Sequence, residues 1–378
     1  MRVLLDVSAV PAQPVGAGVY AVELARGLSA SAQVELVLAT RKSDSGRWRT
    51  IAPNAEISAV VPDSRPTRIL WEQARAAQLA KELRIDIWHG PHYTMPARLS
   101  VPSVVTIHDL TFFDHPEWHE RKKVPFFRHM IRSSTKRATA LVCVSEATLL
   151  RLSTLFTPKG TVTAVPLGVD HSRFSPEATI EADRLLLSRH GIREPFIGFV
   201  STIEPRKNTP GLVRAFAQVS KTMPDLQLVI AGKTGWGLEQ LRSAIETSGV
   251  ATRIARVGRI SDDAVAALYR RAAVIAYPSF QEGFGFPALE ALACGAPLVT
   301  STGTSLDEVV GDAAVTAAPG DDEALAAALC RALDPEMAAD LRLAGPRRAE
   351  GFTWAATVEA HIEIYASAFS HESKRCAV

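Results

Sequence analysis

Short apolar runs alternate with longer stretches in which apolar residues recur every three or four positions, and this continues over nearly the whole chain. In the first half the apolar runs predict strands at 3–7, 34–39, 57–61, 85–88, 104–107 and 141–144. The wider spacing between them predicts helices near 18–30, 68–83, 122–137 and 146–156. Strand and helix in turn mean a parallel sheet covered by helices, because parallel neighbours need a crossover connection. Residues 166–195 interrupt the pattern with Pro166, Gly168, Pro176, Gly191 and Pro195 among polar positions, as expected of a hinge. The alternation then restarts, with strands expected at 196–200, 226–231, 254–257, 274–277, 297–300 and 313–316. A last amphipathic helix, near 353–369, places Trp354, Val358, Ile362, Tyr365 and Phe369 at spacings of three and four.

Composition sharpens this outline. A chain of 378 residues suggests two domains of ordinary size, and an apolar share of 47% gives each a core to bury. The net charge of +2 does not mark a nucleic-acid binder, so any basic function must be local. Cys143, Cys294, Cys330 and Cys376 stand far apart without C-x-x-C spacing. That argues against a disulfide framework or a zinc site and suits a reducing compartment. The first six residues read as a strand rather than a signal peptide, and no run of about eighteen apolar residues could span a bilayer. The expected location is cytoplasmic.

Residues 274–300 hold the most specific chemistry. A β-branched run ends at Tyr277, a loop with Gly283 and Gly285 follows, Pro287 opens a short helix, and Gly295 closes it. Glycines let the backbone approach a ligand, and the new helix points free N–H groups and its positive end at the same spot. That is an anion site. Glu282 and Glu290 frame it. Carboxylates repel phosphate but hold hydroxyls, so the combination suggests a nucleotide sugar.

The string Glu282-Gly-Phe-Gly-Phe-Pro-Ala-Leu-Glu290 resembles the E-x7-E signature of the retaining GT-B glycosyltransferases of family 4, and residues 291–299 resemble its continuation. The resemblance implies an α/β GT-B fold, two Rossmann-like domains facing across a cleft. Residues 1–170 would form the acceptor side, residues 190–352 the donor side, and 353–370 a helix crossing back to the N-terminal domain. It implies retaining transfer of a hexose from a nucleotide-diphosphate sugar to a hydroxyl of a glycan, lipid-linked or other acceptor, with no metal and no cofactor.

The candidate catalytic residues are Glu282, Lys207, Arg206 and His108. Arg206 and Lys207 follow the strand at 196–200, where α/β folds bind ligands. Cations there would meet the charge that grows on a diphosphate leaving group. The family usually sets an Arg and a Lys five residues apart at this point. Here the earlier position is Thr202, and Arg206 stands beside Lys207. Whether Arg206 reaches phosphate or pairs with Glu204 stays open. The string Glu204-Pro-Arg-Lys-Asn208 resembles a variant of mannosyltransferase-like members and tilts the donor towards GDP-mannose over UDP-linked sugars.

Donor contacts are expected from Gly283, Phe284, Gly285 and Phe286, with Glu290 on the ribose. Gly232 and Lys233 would approach the diphosphate, and Arg259 and Ile260 the base. Gly16 and Gly18, between the first strand and helix, fit by position the loop against donor phosphate and acceptor. His108 ends a strand and would sit near the donor sugar, with Asp109 orienting it or capping the loop. His89 and His92 read as an acceptor-side loop; their spacing lacks a third metal ligand. Asp321 is expected to cap a helix rather than bind metal.

Between Arg121 and Arg137 lie seven basic residues and no acid, with Trp118, Phe126, Phe127, Met130 and Ile131 interleaved or adjacent. Residues 118–137 could thus rest peripherally on an anionic membrane, the inner face of the cell membrane, or simply turn their apolar side into the core. Three other activities share parts of this pattern: a GT-B phosphorylase or nucleotide-sugar epimerase, a silent nucleotide-binding module, and a Rossmann oxidoreductase. The last is disfavoured by the long loop after the first strand and the missing acid after the second.

Overall fold

The computed structural model describes residues 1–376, with side chains as far as Ser370, so the Cys376 thiol lies outside the described residues. The chain forms two compact units: Met1–Gly168 with the segment from Thr353, and Val169–Phe352.

The first unit runs β1 (Arg2–Asp6), α1 (Ala17–Ala30), β2 (Glu35–Arg41), α2 (Ser45–Ile51), β3 (Glu56–Val61), α3 (Arg65–Ala74), α4 (Ala76–Glu82), β4 (Ile87–Gly90), β5 (Ser103–Ile107), α5 (Thr111–Asp114), α6 (Lys123–Arg137), β6 (Ala140–Cys143), α7 (Glu146–Leu155) and β7 (Thr161–Ala164). Its seven strands are parallel in the order β3-β2-β1-β4-β5-β6-β7. The strand order reverses between β1 and β4, which makes their C-terminal ends the natural ligand crevice. Central strands are buried on both faces and read as apolar runs. β7 escapes the sequence pattern because it is an edge strand whose threonines Thr161 and Thr163 face solvent. The single helix expected at 68–83 is two, α3 and α4, broken at Arg75.

The second unit runs α8 (Ile180–Ser188), β8 (Phe196–Val200), α9 (Thr209–Val219), β9 (Gln227–Ala231), α10 (Leu238–Thr247), β10 (Ile254–Gly258), α11 (Asp262–Arg271), β11 (Val274–Tyr277), α12 (Phe286–Ala293), β12 (Leu298–Ser301), α13 (Ser305–Val310), β13 (Val315–Ala317), α14 (Asp322–Leu333) and α15 (Pro335–Ala349). Its sheet is parallel in the order β10-β9-β8-β11-β12-β13, reversing between β8 and β11. The stretch expected as a hinge contains α8, anchored to α11 by Asp183 and Arg270 at 2.7 Å. Pro176 and Gly191 bracket a helix rather than a linker.

The final helix, α16 (Trp354–Cys376), belongs to the first unit. It lies so close to α1 that a Cβ on Gly27 would stand 2.4 Å from Val358 Cγ2. Val358, Ile362, Tyr365 and Ala368 are buried, whereas Phe369, expected on the inner face, points outward. Among the described residues no helix is long and apolar enough to cross a membrane.

Candidate active site

In the second unit, the loop after β8 and the loop after β11 meet at the strand-order reversal. The Phe280 amide donates to the Arg206 carbonyl at 2.8 Å and ties the loops together. Glu282, 8% exposed, grips both cations: its Oε1 lies 2.5 Å from Lys207 Nζ and its Oε2 2.6 Å from Arg206 Nη1. Arg206 Nε also reaches Glu204 at 3.1 Å, so Arg206 bridges two carboxylates.

Burial alone would raise the Glu282 carboxyl. The charges of Arg206 and Lys207 outweigh it and hold the group at about 2. Burial, helped by the neighbouring Arg206, lowers the Lys207 ammonium to about 8 despite the attraction of Glu282. At neutral pH all three groups are therefore charged, and Lys207 stands near its titration point. Lys207 also donates to the Tyr277 hydroxyl at the end of β11.

Gly285 caps α12 with a φ of +110°, and a Cβ there would press on Leu306 at 2.5 Å. Glycine is thus required for both conformation and space. The hydroxyl of Ser305 donates to the carbonyl of Glu282 at 2.9 Å and braces the loop from below. Phe284 is buried and meets Phe286 edge-on at 5.6 Å. α12 begins directly after this loop, with Pro287 in its first turn and the Ala288 and Leu289 amides closing on the Gly285 carbonyl at 3.0 and 3.2 Å. Glu290 is half-buried one turn along, where the Tyr269 hydroxyl donates to its Oε2 at 3.1 Å. Burial pushes Glu290 up to about 8, so at neutral pH it is a carboxylic acid that can both donate to and accept from hydroxyls.

Around this centre, Gly232 follows β9 with a φ of +136°, where a Cβ would overlap the Ser201 carbonyl. Lys233 and Arg259 are exposed, while Ile260 is buried just ahead of α11. Asp321 caps α14 by accepting from the Ala324 amide at 2.9 Å, as expected. Sequence reasoning missed Tyr277, Ser305 and Tyr269. Tyr277 ends the signature strand and could have been noticed there; the other two carried no local signal.

The first unit carries the remaining candidates. His108 is buried, and its Nε2 donates to the Pro91 carbonyl at 2.8 Å. A carbonyl only accepts, so Nε2 bears the proton, and burial keeps the ring below its ordinary pKa. Asp109 takes the capping role, accepting from the Thr111 amide and hydroxyl at 3.1 and 2.7 Å. His92 is half-buried against Tyr93, His108 and Phe127.

Two assignments change. His89, read as part of a loop, sits in β4 with no exposure. Its Nδ1 meets Tyr365 Oη at 2.6 Å and its Nε2 meets Thr106 Oγ1 at 2.8 Å, so both ring nitrogens serve the fold. Gly18, read as loop, lies inside α1, where a Cβ would stand 3.1 Å from Pro14. Gly16 caps that helix with a φ of +52°.

The apolar side of α6 turns into the core: Met130 and Ile131 are buried and Phe127 packs on the same cluster. Arg128 donates to the Phe112 carbonyl at 2.7 Å, and Lys123 pairs with Glu120. Arg121, Lys122, Arg132 and Lys136 remain exposed.

The description "Glycosyl transferases group 1" matches residues 188–348, and "Glycosyltransferase Family 4" matches residues 14–173. The O-antigen chain mannosyltransferase B of Escherichia coli is 31% identical over 283 residues, covering 74% of each chain. The chain belongs to glycosyltransferase family 4. Another relative, the MMP alpha-(1->4)-mannosyltransferase of Mycolicibacterium hassiacum, is 30% identical over 72% of this chain and 67% of its own. The D-inositol 3-phosphate glycosyltransferase of Salinispora tropica is 33% identical over 57% of this chain, which spans about half (48%) of that relative. Among solved structures, sucrose-phosphate synthase from Thermosynechococcus elongatus superposes with a TM-score of 0.80 over 98% of this chain and 99% of its own, at 21% identity. Anabaena HepE, in complex with UDP and glucose, superposes with a TM-score of 0.78 over 97% of this chain and all (100%) of its own, at 18% identity. These likenesses show the GT-B fold.

Proposed function

We propose that this family 4 glycosyltransferase moves a hexose, with mannose favoured, from a nucleotide-diphosphate sugar to a hydroxyl of a glycan, glycolipid or other acceptor, with retention at the anomeric carbon. The observation that carries the reading is Glu282 holding Arg206 and Lys207 at the strand-order reversal, beside the first turn of α12. In this reading the two cations and the positive end of α12 meet a diphosphate, and Glu282 and Glu290 meet hydroxyls of the sugar and ribose. The two mannosyltransferase relatives and the Glu204–Asn208 string support GDP-mannose.

In the proposed step, the bond from the anomeric carbon to the leaving phosphate oxygen breaks, and the acceptor oxygen bonds that carbon on the same face. The acceptor proton passes to the phosphate oxygen. Arg206, Lys207 and the positive end of α12 stabilise the charge that develops, so no divalent cation is needed. His108, with Nε2 committed to the Pro91 carbonyl, keeps Nδ1 as the ring's acceptor, which suits a sugar hydroxyl.

We place the protein in the cytoplasm. The exposed cations of α6 and its approach support reversible contact with an anionic membrane, by charge rather than by inserted apolar groups. Arg121, Lys122 and Arg132 are the residues to reverse in a salt-dependent vesicle test, because Lys123 and Arg128 are engaged within the fold.

A thermal-shift panel of nucleotide sugars followed by product analysis tests the activity. A ligand at a hundred times its dissociation constant should stabilise by roughly 3 kcal/mol. Free nucleoside diphosphate should appear in step with a new glycoside and without inorganic phosphate. Phosphate-dependent turnover would favour a phosphorylase, an epimeric nucleotide sugar without transfer an epimerase, and binding without product a silent module.

A further inference from the structure

Tyr277 is the last residue of β11, and β11 lies beside β8, whose following loop carries Lys207. Both side chains are buried, Tyr277 at 1% exposure and Lys207 at 4%. The tyrosine oxygen accepts from the Lys207 ammonium, 70 positions away in the chain. Parallel pairing with β8 on one side and β12 on the other holds β11 in the sheet, so the phenol is a rigid anchor. The lysine ammonium, by contrast, sits on a flexible stem.

An ammonium has three N–H groups and no acceptor. One of those on Lys207 meets Glu282 Oε1 at 2.5 Å, and a second meets Tyr277 Oη. Among the described residues the third meets no acceptor. The bond to Cε and the two acceptors fix all but one direction about the tetrahedral Nζ, and that direction is left to the third N–H. Glu282 is also engaged by Arg206 Nη1, at 2.6 Å from its Oε2. Tyr277 is thus the second anchor that turns a shared ion pair into a defined orientation of Lys207.

Burial and the charge of Glu282 push the Tyr277 phenol well above its ordinary range, so it stays neutral and Lys207 carries the charge of the pair. Burial and Arg206 lower the ammonium, while Glu282 and Glu204 oppose them. An oxygen that accepts from an ammonium favours the charged form. The Tyr277 hydroxyl therefore helps keep Lys207 protonated as well as placed.

We propose that Tyr277 is a positioning residue for glycosyl transfer: its hydroxyl holds the Lys207 ammonium so that the remaining N–H meets the leaving diphosphate. This rests on the transferase reading above. Tyr277 acts through Lys207, and its contribution is preorganisation. A charge already aimed where negative charge develops needs no reorientation as the bond breaks.

The test uses the full chain with the nucleotide sugar that it turns over. Tyr277→Phe keeps the ring and removes the oxygen. At neutral pH it should lower kcat by about tenfold with a much smaller change in the KM for donor. It should also move the fall of kcat/KM with rising pH lower by ~0.5 pH unit or more, because the ammonium loses a partner that favours its charged form. A packing defect would leave that midpoint where it is. In a Lys207→Ala background, Tyr277→Phe should cost less than about twofold, since the group it places is gone. If Tyr277→Phe does not fold, a fluorotyrosine placed at position 277 keeps the shape, weakens the oxygen as an acceptor and should shift the midpoint the same way. An unmoved midpoint, or an equal loss with and without Lys207, overturns the proposal. Failure of the wild type to bind any nucleotide sugar or to form a glycoside is a separate result and removes the transferase reading instead.

Discussion

Lys207 Nζ lies 2.5 Å from Glu282 Oε1, although Lys207 precedes β9 and Glu282 follows β11. Neither charge is solvated to any extent, so each depends on the other and on Arg206. The Lys207 ammonium, lowered to about 8 by burial and Arg206, must be protonated to meet a diphosphate. The kcat/KM for donor should fall as pH rises through about 8. Bound diphosphate adds negative charge beside Lys207, so kcat should hold to higher pH. Lys207→Arg should remove the fall, because a guanidinium does not titrate in this range. Initial rates between about pH 6 and 10 check this, and a flat wild-type kcat/KM would contradict it.

Glu282→Gln should reduce turnover by about 100-fold or more while changing donor affinity much less. The carboxylate orients both cations and faces the position assigned to the sugar, so its loss falls mainly on the transition state. Lys207→Ala should cost a similar factor. Steady-state kinetics with direct donor-binding measurements separate the two effects; loss of affinity alone would assign Glu282 to binding.

Glu290→Gln should raise the KM for donor with a smaller change in kcat, since a ribose contact serves ground and transition states alike. The substitution also has a stability signature. The folded protein holds the Glu290 proton up to about 8, whereas the unfolded chain releases it near the ordinary carboxyl value of 4.5. The contribution is complete below about 4.5 and is lost as pH rises through about 8. Urea unfolding between those limits should therefore show wild type losing stability relative to Glu290→Gln.

A polar chain crosses the core of the first unit. His361 Nδ1 donates to the Thr357 carbonyl, which leaves Nε2 to accept from Tyr20 Oη at 2.8 Å. Tyr20 in turn accepts from Thr106, Thr106 from His89 Nε2, and His89 Nδ1 from Tyr365. The carbonyl at one end sets the direction of every proton. Tyr20→Phe interrupts the chain in the middle and should cost about 1–3 kcal/mol in chemical denaturation. His361 is held neutral, lowered by burial to about 4. Below about 6.5 the unfolded chain takes up a proton that the folded form refuses until about 4, so stability should decline across that window as pH falls. Unfolding midpoints unaffected by Tyr20→Phe would show the chain to be energetically idle.

If, as proposed, Arg206, Lys207 and the positive end of α12 meet the leaving-group charge, product formation should survive excess EDTA at an unchanged rate. Loss on chelation that Mg²⁺ or Mn²⁺ restores would overturn that part of the reading.

The parallel sheets, their helices and the donor loop were legible in the sequence because each rests on local periodicity or turn chemistry. Buried strands show as apolar runs, and the Gly285–Pro287 turn announces the start of α12. Edge strand β7 and helix α8 were not legible, since an exposed edge keeps polar residues and a short helix between Pro176 and Gly191 resembles a linker. Residue type and position nominated Glu282, Arg206 and Lys207, but only the tertiary structure decided that they touch. Their contact depends on β8 and β11 being neighbours in the sheet, although Arg206 and Glu282 are 76 positions apart. The same cause moved His89 from a ligand-facing loop to the core. Its ring nitrogens are taken by Thr106 and by Tyr365, the latter 276 residues away on a helix that returns to the first unit. Which charges stay unpaired is likewise a property of the folded chain, because an ion pair is set by distances between elements that sequence separation does not record.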